Sequence, residues 1–576
     1  MAHLLLPEGA HERYCAHTTE KSRDPAMKYA AQIAFFLLLL AVGVGVYRDY
    51  GISWDEPESR QNGVVTLKYL AEHFAPSLLK GRSIDSAPLN EYISNYYGVA
   101  FEAPSVALAE MFGIREIKDV FLFRHLLTFL IYITGIYAVE RIVYRRFSDW
   151  RLSLLAALFF VLTPRLFAES FYNNKDIVLM ALFAIGMNTT ISFALKPGLK
   201  TAFLHAWASA IAIDVRIVAI ILPAATVAIL VVRLLKKELS IPLTFRVLTV
   251  YLVSVSILVL AMWPWLWADP VRHFVQAFRM FAHTPFDGPV LYMGSFVRST
   301  ELPWHHVLVY ISITTPLLCL VLFLVGLSNT ISKIIYRGTS LWKSKEELQD
   351  VVFLGFLAVP IATVIMLHSV LYDGWRHMYF VYPAFLLIAM RGWVALWSND
   401  QRIRKTLLTV VTAISIVHTA IWMWRAHPYQ NVYFNILAGS GDLRSRYELD
   451  YWGLANRKAL EFILAKDDRE VISVRADSFM PLKPALDMIN IGERDRLKLS
   501  RVELSDLLSE IYPAKLLRDP QTPNREAKEK IPDYVITNYR WVQPVDDARY
   551  ANEFNLFYQI RVDNQIILSV FQRKPT

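Results

Sequence analysis

Two adjacent carboxylates, Asp55 and Glu56, follow closely on the first long apolar run of the sequence, residues 29–46. An acidic pair held where a membrane span meets water is suited to abstracting a proton or binding a cation. Solvation as ordinary loop charges is the alternative, and it is the commoner outcome for an isolated pair. We treat the pair as a candidate catalytic site because the chain repeatedly returns polar residues to the same membrane face.

Three further polar groups are predicted at that face, each beside the end of an apolar run. Lys175 and Arg376, in the first and last of these groups, have no obvious partner adjacent in sequence. The groups are the loop 165–176 with Arg165, Glu169, Asn173, Asn174, Lys175 and Asp176; the pair Asp214 and Arg216; and the run 373–377 with Asp373, Arg376 and His377.

The basic residues of these groups have both a structural and a functional interpretation. Structurally, Lys175 could snorkel to the interface, Arg216 could only neutralise Asp214, and Arg376 could only mark a membrane boundary. Functionally, they suit a lipid-linked phosphate, which Lys meets as a point charge and Arg as a bidentate clamp. A carboxylate beside them could deprotonate an acceptor hydroxyl. Together they predict a transferase that uses a lipid-phosphate-linked sugar.

The composition predicts a membrane protein, with 55% hydrophobic residues and a mean hydropathy of +0.32. Apolar runs near the ~20 residues needed to cross a bilayer recur through residues 29–426. The predicted fold class is a polytopic α-helical membrane protein of about eleven spans, followed by an extracytoplasmic α/β domain at 427–576. Residues 1–28 are predicted to form a cytoplasmic tail, and 48–118 and 268–306 to form outer loops.

The formal charge of +9 is distributed as in a membrane protein, because basic residues collect in every second short loop. This alternation follows the positive-inside rule, so we assign those loops to the cytoplasm and do not expect nucleic-acid binding. The same parity places residues 427–576 on the side of Asp55. The apolar stretch 96–113 carries Glu102 and Glu110, which favours an interfacial helix, with a true span as the alternative.

Several segments resemble motifs of GT-C superfamily membrane glycosyltransferases, and two of them resemble dolichyl-phosphate-mannose–protein mannosyltransferase-like and ArnT-like proteins. WDEPE (54–58) resembles the first-loop acidic motif of the superfamily, and DGWRHMYFVYPAFLLIA (373–389) resembles the signature that opens a late helix. ESFYNNKDIVLMALF (169–183) resembles the second outer loop and the helix after it. HPYQNVYFN (427–435) and YELDYWGLANRKALEFI (447–463) resemble the segments that follow the last span.

The resemblance implies roles for individual residues. Asp55 would be the catalytic base, and Glu56 would support it. Some members of the superfamily use a divalent metal, for which Glu169 or Asp176 is the nearest candidate, but no ligand spacing here is diagnostic and no cofactor is assigned. The residues implied to hold the donor phosphate are Lys175, Arg376 and His377, with Arg165 and Arg216 as further candidates.

The function predicted from the sequence is an inverting transfer of one sugar from a polyprenyl-phosphate donor to an extracytoplasmic hydroxyl acceptor. The acceptor would be a protein, a lipid or a cell-envelope glycan, and the enzyme would be a multi-pass protein of a bacterial inner membrane. A transporter or flippase of lipid-linked sugars is the alternative, and it would place charges and broken helices near the bilayer midplane. A membrane anchor that acts through its C-terminal region would leave the loop acids unexplained.

Overall fold

The computed structural model describes residues 25–80, 86–282, 286–398, 401–501, 531–542 and 547–575. Residues 1–24 of the predicted cytoplasmic tail lie outside the described residues. The helices, in chain order, are α1 Pro25–Val46, α2 Glu56–Phe74, α3 Glu102–Met111, α4 Ile117–Phe147, α5 Trp150–Val161, α6 Pro164–Tyr172, α7 Asp176–Leu195, α8 Leu199–Val215, α9 Ile221–Leu235, α10 Ile241–Met262, α11 Pro270–Ala282, α12 His306–Thr314, α13 Leu317–Arg337, α14 Lys345–Met366, α15 Tyr382–Trp397, α16 Arg402–Ala426, α17 Ala455–Lys466, α18 Lys483–Asp487 and α19 Ile491–Arg494.

The protein is a polytopic α-helical membrane protein with a C-terminal α/β domain. Nine helical segments of the described residues are long and apolar enough to cross a membrane, and the bent pair α5–α6 makes ten. Helix α8, with 17 residues, rises about 25 Å and lies in the apolar block 201–235, where the sequence predicts a short fifth span before a sixth. The count of about eleven spans stays a prediction.

Prolines account for the predicted boundaries that are wrong. The sequence predicts one span over 307–327, but α12 ends just before Pro316 and α13 begins just after it. The span predicted over 247–267 ends earlier, because Pro264 opens a separate 3-10 turn. Helices α5 and α6 meet at an angle of 68°, where Pro164 supplies no backbone N–H.

Both predicted outer loops contain regular structure. Helix α2 was not predicted within 48–118, and Pro57 lies in its first turn, where a missing N–H costs nothing. The stretch 96–113 contains only the 10-residue helix α3, which at about 15 Å is too short to cross a bilayer. The segment 268–306 holds α11 and an antiparallel hairpin of β1 Pro289–Tyr292 and β2 Ser295–Arg298.

The basic loops meet at one end of the helical bundle. Arg146 of α4 and Arg391 of α15 both pair with Asp350 of α14, at 2.8 and 2.7 Å. Lys236, which follows α9, donates a hydrogen bond of 2.7 Å to the carbonyl of Ser340. These contacts bring together three of the basic loops, around residues 145–151, 233–237 and 333–350, with Arg391 of α15.

The predicted outer polar groups lie at the opposite end of the bundle. Helix α7 connects the two ends, because its first residue, Asp176, belongs to the polar group and its penultimate residue, Ala194, accepts a hydrogen bond from Arg233 of the basic end. A 20-residue helix spans about 30 Å. The assignment of these two ends to the two sides of the membrane remains a prediction.

The C-terminal domain contains a five-stranded mixed sheet and α17. Its strands are β3 Ile472–Ala476, β4 Leu497–Arg501, β5 Tyr534–Thr537, β6 Phe554–Val562 and β7 Gln565–Arg573, in the spatial order β4-β3-β5-β7-β6. β3 pairs in parallel with β4 and β5, whereas β7 is antiparallel to β5 and β6. Arg457 of α17 donates to the carbonyls of Arg48 and Tyr50 at 2.9 and 3.0 Å, so the domain lies at the Asp55 end of the bundle.

Cysteine labelling tests how these two ends sit across the membrane. We expect a cysteine introduced at Asn90 and one at Glu470 to react with an impermeant maleimide in intact cells, and one at Thr339 to react only after permeabilisation. All three positions are exposed. A background in which Cys15 and Cys319 are replaced removes native thiols. If the cysteine at position 470 reacted only after permeabilisation, as the one at position 339 should, the predicted topology would be contradicted.

Candidate functional site

Asp55 lies directly before the first turn of α2. One of its carboxylate oxygens is 3.5 Å from Nη1 of Arg376, and its side chain is 18% exposed. Its backbone carbonyl accepts a hydrogen bond of 2.9 Å from the hydroxyl of Ser59. The carboxylate is therefore fixed in position and can still be reached from outside.

Glu56 is oriented differently from its neighbour, with a fully buried carboxylate. Its Oε2 accepts a hydrogen bond of 2.9 Å from the backbone N–H of Ser53. Its Oε1 lies 3.2 Å from Nε2 of His125 on α4. Because both oxygens are engaged within the protein, Glu56 fixes the turn that leads into α2 and so holds Asp55 in place.

Arg376 is the centre of the polar group, and it is buried among three carboxylates. Its guanidinium lies 3.0 Å from Asp176 and 3.0 Å from Asp373, in addition to the contact with Asp55. It also lies over the ring of Trp452, 4.7 Å from the ring centroid. Two of its three partners, Asp55 and Asp176, thus come from distant segments, and the third, Asp373, comes from the turn three residues before it.

The pairing continues in both directions from Arg376. Asp176 also binds Arg216, and Asp373 also binds Arg540 of the C-terminal domain. We call the series Arg216–Asp176–Arg376–Asp373–Arg540 the ion chain. Removing one member of such a buried series leaves its neighbours without compensation, which is costly in a low-dielectric interior.

The interpretation that Arg216 only neutralises Asp214 is wrong. Asp214 instead accepts hydrogen bonds of 2.6 Å from the backbone N–H groups of Val99 and Ala100. Gly98 packs so closely on α8 that an added Cβ would lie 1.6 Å from the carbonyl oxygen of Asp214. Asp214 therefore anchors the segment before α3, while Arg216 belongs to the ion chain.

Arg165 and His377 take other positions around the ion chain. Arg165 on α6 donates through Nε to the carbonyl of Tyr433 at 3.2 Å, and its guanidinium lies 4.7 Å from the centroid of Phe434. Both terminal nitrogens of Arg165 are buried without a hydrogen-bond partner among the described residues. His377 packs edge-on against Tyr372, with ring centroids 4.6 Å apart. No described contact joins either residue to Asp55.

Lys175 differs from Arg216 and Arg376 because no carboxylate among the described residues pairs with it. Its ammonium lies 4.5 Å from the centroid of the Tyr97 ring, and in the described part of the chain it forms no ion pair. It is only partly buried and lines a pocket that also includes Ser59, the residue bonded to the Asp55 carbonyl. Lys175 is therefore a cation available to a ligand near Asp55.

The sequence placed Asp373 in an outer polar group without predicting its pairing, and it did not predict Arg540 as a member of the site. Asp373 and Gly374 both have left-handed backbones, with φ of 57° and 69°, and this turn directs Asp373 to Arg376; the Asp-Gly dipeptide is its only sequence signal. Arg540 follows β5 in the C-terminal domain. No local pattern marks it, because its partner Asp373 lies 167 residues earlier in the chain.

The two carboxylates considered for a metal do not fit that role. Glu169 accepts hydrogen bonds from the hydroxyls of Tyr379 and Tyr451, at 2.7 and 2.8 Å, and Asn173 donates to its other oxygen at 2.7 Å. Asp176 is matched by two guanidinium groups. The described residues contain no cluster of three or more metal-ligating side chains, and no step of the chemistry is assigned to a metal.

Comparison with known proteins gives similarity of fold only. No family model and no curated protein sequence matches the chain. Among solved structures, it is similar to ArnT from Cupriavidus metallidurans bound to undecaprenyl phosphate, with a TM-score of 0.47, 14% identity, and coverage of 95% of this chain and 98% of that chain. It is also similar to the archaeal oligosaccharyltransferase AglB from Archaeoglobus fulgidus in complex with an inhibitory peptide and a dolichol-phosphate, with a TM-score of 0.41, 11% identity, and coverage of 78% and 62%. The functional argument therefore rests on the site itself.

The ion chain predicts that Arg540 fastens the C-terminal domain to the bundle. Arg540→Met should lower the free energy of unfolding by about 3–5 kcal/mol, because it leaves Asp373 and Glu448 buried without that cation. Thermal unfolding in detergent and limited proteolysis of the C-terminal domain measure the effect. Arg561→Met, at an exposed arginine of the same domain, is the control. Equal stability of the two variants would show that the Arg540 pairing is dispensable.

Glu448 gives the same junction a predicted pH dependence. Both of its carboxylate oxygens are buried with no hydrogen-bond partner among the described residues, and Arg540 Nε is 3.6 Å away. Burial raises the pKa of Glu448 from an ordinary 4.5 to about 7, against the opposing effect of Arg540. Because folding raises this pKa, the protonated carboxyl of Glu448 stabilises the folded protein fully at pH values below its ordinary pKa of 4.5. That contribution to the free energy of unfolding is lost as the pH rises through about 7.

The melting temperature should therefore fall between about pH 5 and pH 8, and Glu448→Gln should reduce that fall because the amide does not ionise. Glu470→Gln, at an exposed glutamate of the same domain, controls for the loss of a charge. An unchanged pH profile in Glu448→Gln would show that this carboxyl does not titrate across the range.

Proposed function

We propose that the protein transfers a sugar from a polyprenyl-phosphate carrier to a hydroxyl group of an extracytoplasmic acceptor, with inversion at the anomeric carbon. The observation that carries this proposal is the partly exposed carboxylate of Asp55, held 3.5 Å from Arg376. It lies beside a pocket that contains Lys175, a cation with no ion pair among the described residues. A carboxylate and a cation in this relation supply a proton acceptor and a phosphate ligand.

Lys175 is proposed as the main ligand of the donor phosphate, because it is partly exposed and no carboxylate among the described residues pairs with it. Arg216 and Arg376 are engaged in the ion chain and contribute positive potential. Of the three carboxylates around Arg376, Asp55 is both the most distant and the most exposed. A phosphate arriving beside Asp55 would therefore meet the least occupied side of the Arg376 guanidinium.

The proposed reaction is a single displacement. The acceptor oxygen attacks the anomeric carbon from the face opposite the phosphate and forms the new glycosidic bond. The bond between that carbon and the phosphate oxygen breaks, and polyprenyl phosphate leaves with the electron pair. The acceptor proton passes to Asp55. One displacement inverts the anomeric configuration, and the positive potential of Lys175 and Arg376 stabilises the departing phosphate.

The placement of charge favours a transferase over a transporter of lipid-linked sugars. Asp176 is the first residue of α7, Arg376 opens the apolar segment 376–397, and Arg216 follows the last residue of α8. The ion chain thus lies at helix ends, whereas a transport pathway needs polar groups near the midplane. We place the chain in a bacterial inner membrane, with the Asp55 end and the C-terminal domain outside the cytoplasm.

Transfer measured in a reconstituted system, with donor binding measured separately, tests the roles of the two groups. Asp55→Asn should reduce turnover by roughly 100- to 10,000-fold with little change in donor binding, because the amide cannot accept the proton. Lys175→Ala should weaken binding of polyprenyl phosphate by about 10-fold or more, the cost of a charge-assisted contact. The two variants should therefore fail in different measurements.

Two further variants complete the test. Glu56→Gln should lower turnover less than Asp55→Asn if Glu56 acts only by positioning its neighbour. Asp49→Asn removes a carboxylate that is 54% exposed and should leave both measurements unchanged. Full transfer by Asp55→Asn would remove the catalytic assignment, and a larger loss in Glu56→Gln than in Asp55→Asn would move that assignment to Glu56.

A further inference from the structure

The pocket that contains Lys175 carries more polar groups than a phosphate needs. It is a cleft open to solvent that lies between the first turns of α2, the segment that precedes α3, and the turn that precedes α7. The side chains used in the argument are Glu58, Asn62, Tyr97 and Lys175. Because Glu58 follows Asp55 within one helical turn, the pocket opens next to the proposed base.

Asn62 is buried in this pocket with an unused acceptor. Only 2% of the residue is exposed, and its Nδ2 donates to the carbonyl of Tyr97 at 3.2 Å. Its Oδ1 has no hydrogen-bond partner among the described residues. A buried acceptor without a donor costs free energy, so this atom favours a ligand that brings an O–H or N–H group.

Glu58 adds a second acceptor and a negative charge at the mouth of the pocket. Its Oε1 accepts hydrogen bonds from the hydroxyls of Tyr92 and Ser94, at 2.6 and 2.7 Å. These two donors fix the orientation of the carboxylate. In the described part of the chain, Glu58 forms no ion pair, and no hydrogen bond reaches its Oε2. The charge of Glu58 is therefore free to act on a ligand.

The wall that faces α2 is also rigidly built. The segment of Tyr97 is tied to α8 through the hydrogen bonds of Asp214 and the close packing of Gly98. Asn62 therefore donates its hydrogen bond to a wall whose position does not depend on a ligand. A preorganised pocket with two open acceptors and one cation favours a ligand with several hydroxyl groups and one phosphate.

We propose that this pocket binds the sugar ring of the donor and selects a ring that carries no negative charge. The inference rests on the proposed function, since it places the donor phosphate at Lys175. The hydroxyl groups of the sugar donate to Asn62 Oδ1 and to Glu58 Oε2. A carboxylate on the ring would meet the negative charge of Glu58 and would leave the Asn62 acceptor unsatisfied.

Binding of three lipids to the full-length protein in nanodiscs tests the proposal: undecaprenyl phosphate, its mannosyl phosphodiester and its glucuronosyl phosphodiester. The parent should bind the mannosyl lipid at least about 10-fold more tightly than the glucuronosyl lipid. Asn62→Ala should weaken mannosyl-lipid binding by about 3- to 10-fold and leave undecaprenyl phosphate unaffected. Glu58→Gln should narrow the difference between the mannosyl and glucuronosyl lipids.

Gln61→Ala and Glu72→Gln, on the same helix, serve as matched controls and should bind all three lipids as the parent does. Parent binding of the glucuronosyl lipid as tight as that of the mannosyl lipid would overturn the sugar pocket. An Asn62→Ala variant that weakens undecaprenyl phosphate as strongly as the mannosyl lipid would do the same. Because Glu58 is exposed, Glu58→Gln decides the question even if Asn62→Ala does not fold. If the parent binds none of the three lipids, the proposed function itself fails.

Discussion

The buried charge of Arg376 is the constraint on which the rest of this end of the molecule depends. A guanidinium that is withdrawn from water needs carboxylates around it, and no single segment of this chain supplies them. Asp55 comes from the turn before α2, Asp176 from the start of α7, and Asp373 from the turn after α14. Through Asp373 the same requirement reaches Arg540. Compensation of one charge thus joins the bundle to the C-terminal domain.

The two residues proposed to take part in the reaction, Asp55 and Lys175, lie at the edge of the ion chain. The internal carboxylates Asp176 and Asp373 are saturated by arginines, whereas Asp55 has a single, longer contact and remains partly exposed. Lys175 contributes a cation that no carboxylate in the described part of the chain neutralises. The buried part of the network therefore acts as a scaffold, and the proposed base and phosphate ligand lie at its boundary with solvent.

The sequence predicted the features that depend on composition and periodicity. The apolar runs marked the spans, and alternation of basic loops grouped their ends. The β-branched runs VISVRA, DYVITN, FYQIRV and IILSVF predicted strands and coincide with β3, β5, β6 and β7. Helix α2 escaped prediction because EPESRQNGVVTLKYLAEHF has no clear apolar stripe and follows a span closely. The pairing of Arg376 was not predicted for a different reason. Asp176 and Asp55 lie 200 and 321 residues earlier in the chain, and Asp373 reaches Arg376 only through the turn between them. Pairing between distant segments is a property of packing that one sequence does not display.

A structure of the purified protein with bound undecaprenyl phosphate would test the central claim most directly, because that claim concerns where a lipid-linked phosphate binds. The account predicts phosphate density within hydrogen-bonding distance of the Lys175 ammonium, on the exposed side of Asp55, with the ion chain intact. Phosphate density at the opposite end of the bundle, beside Arg146 and Arg391, with the Lys175 pocket empty, would contradict it.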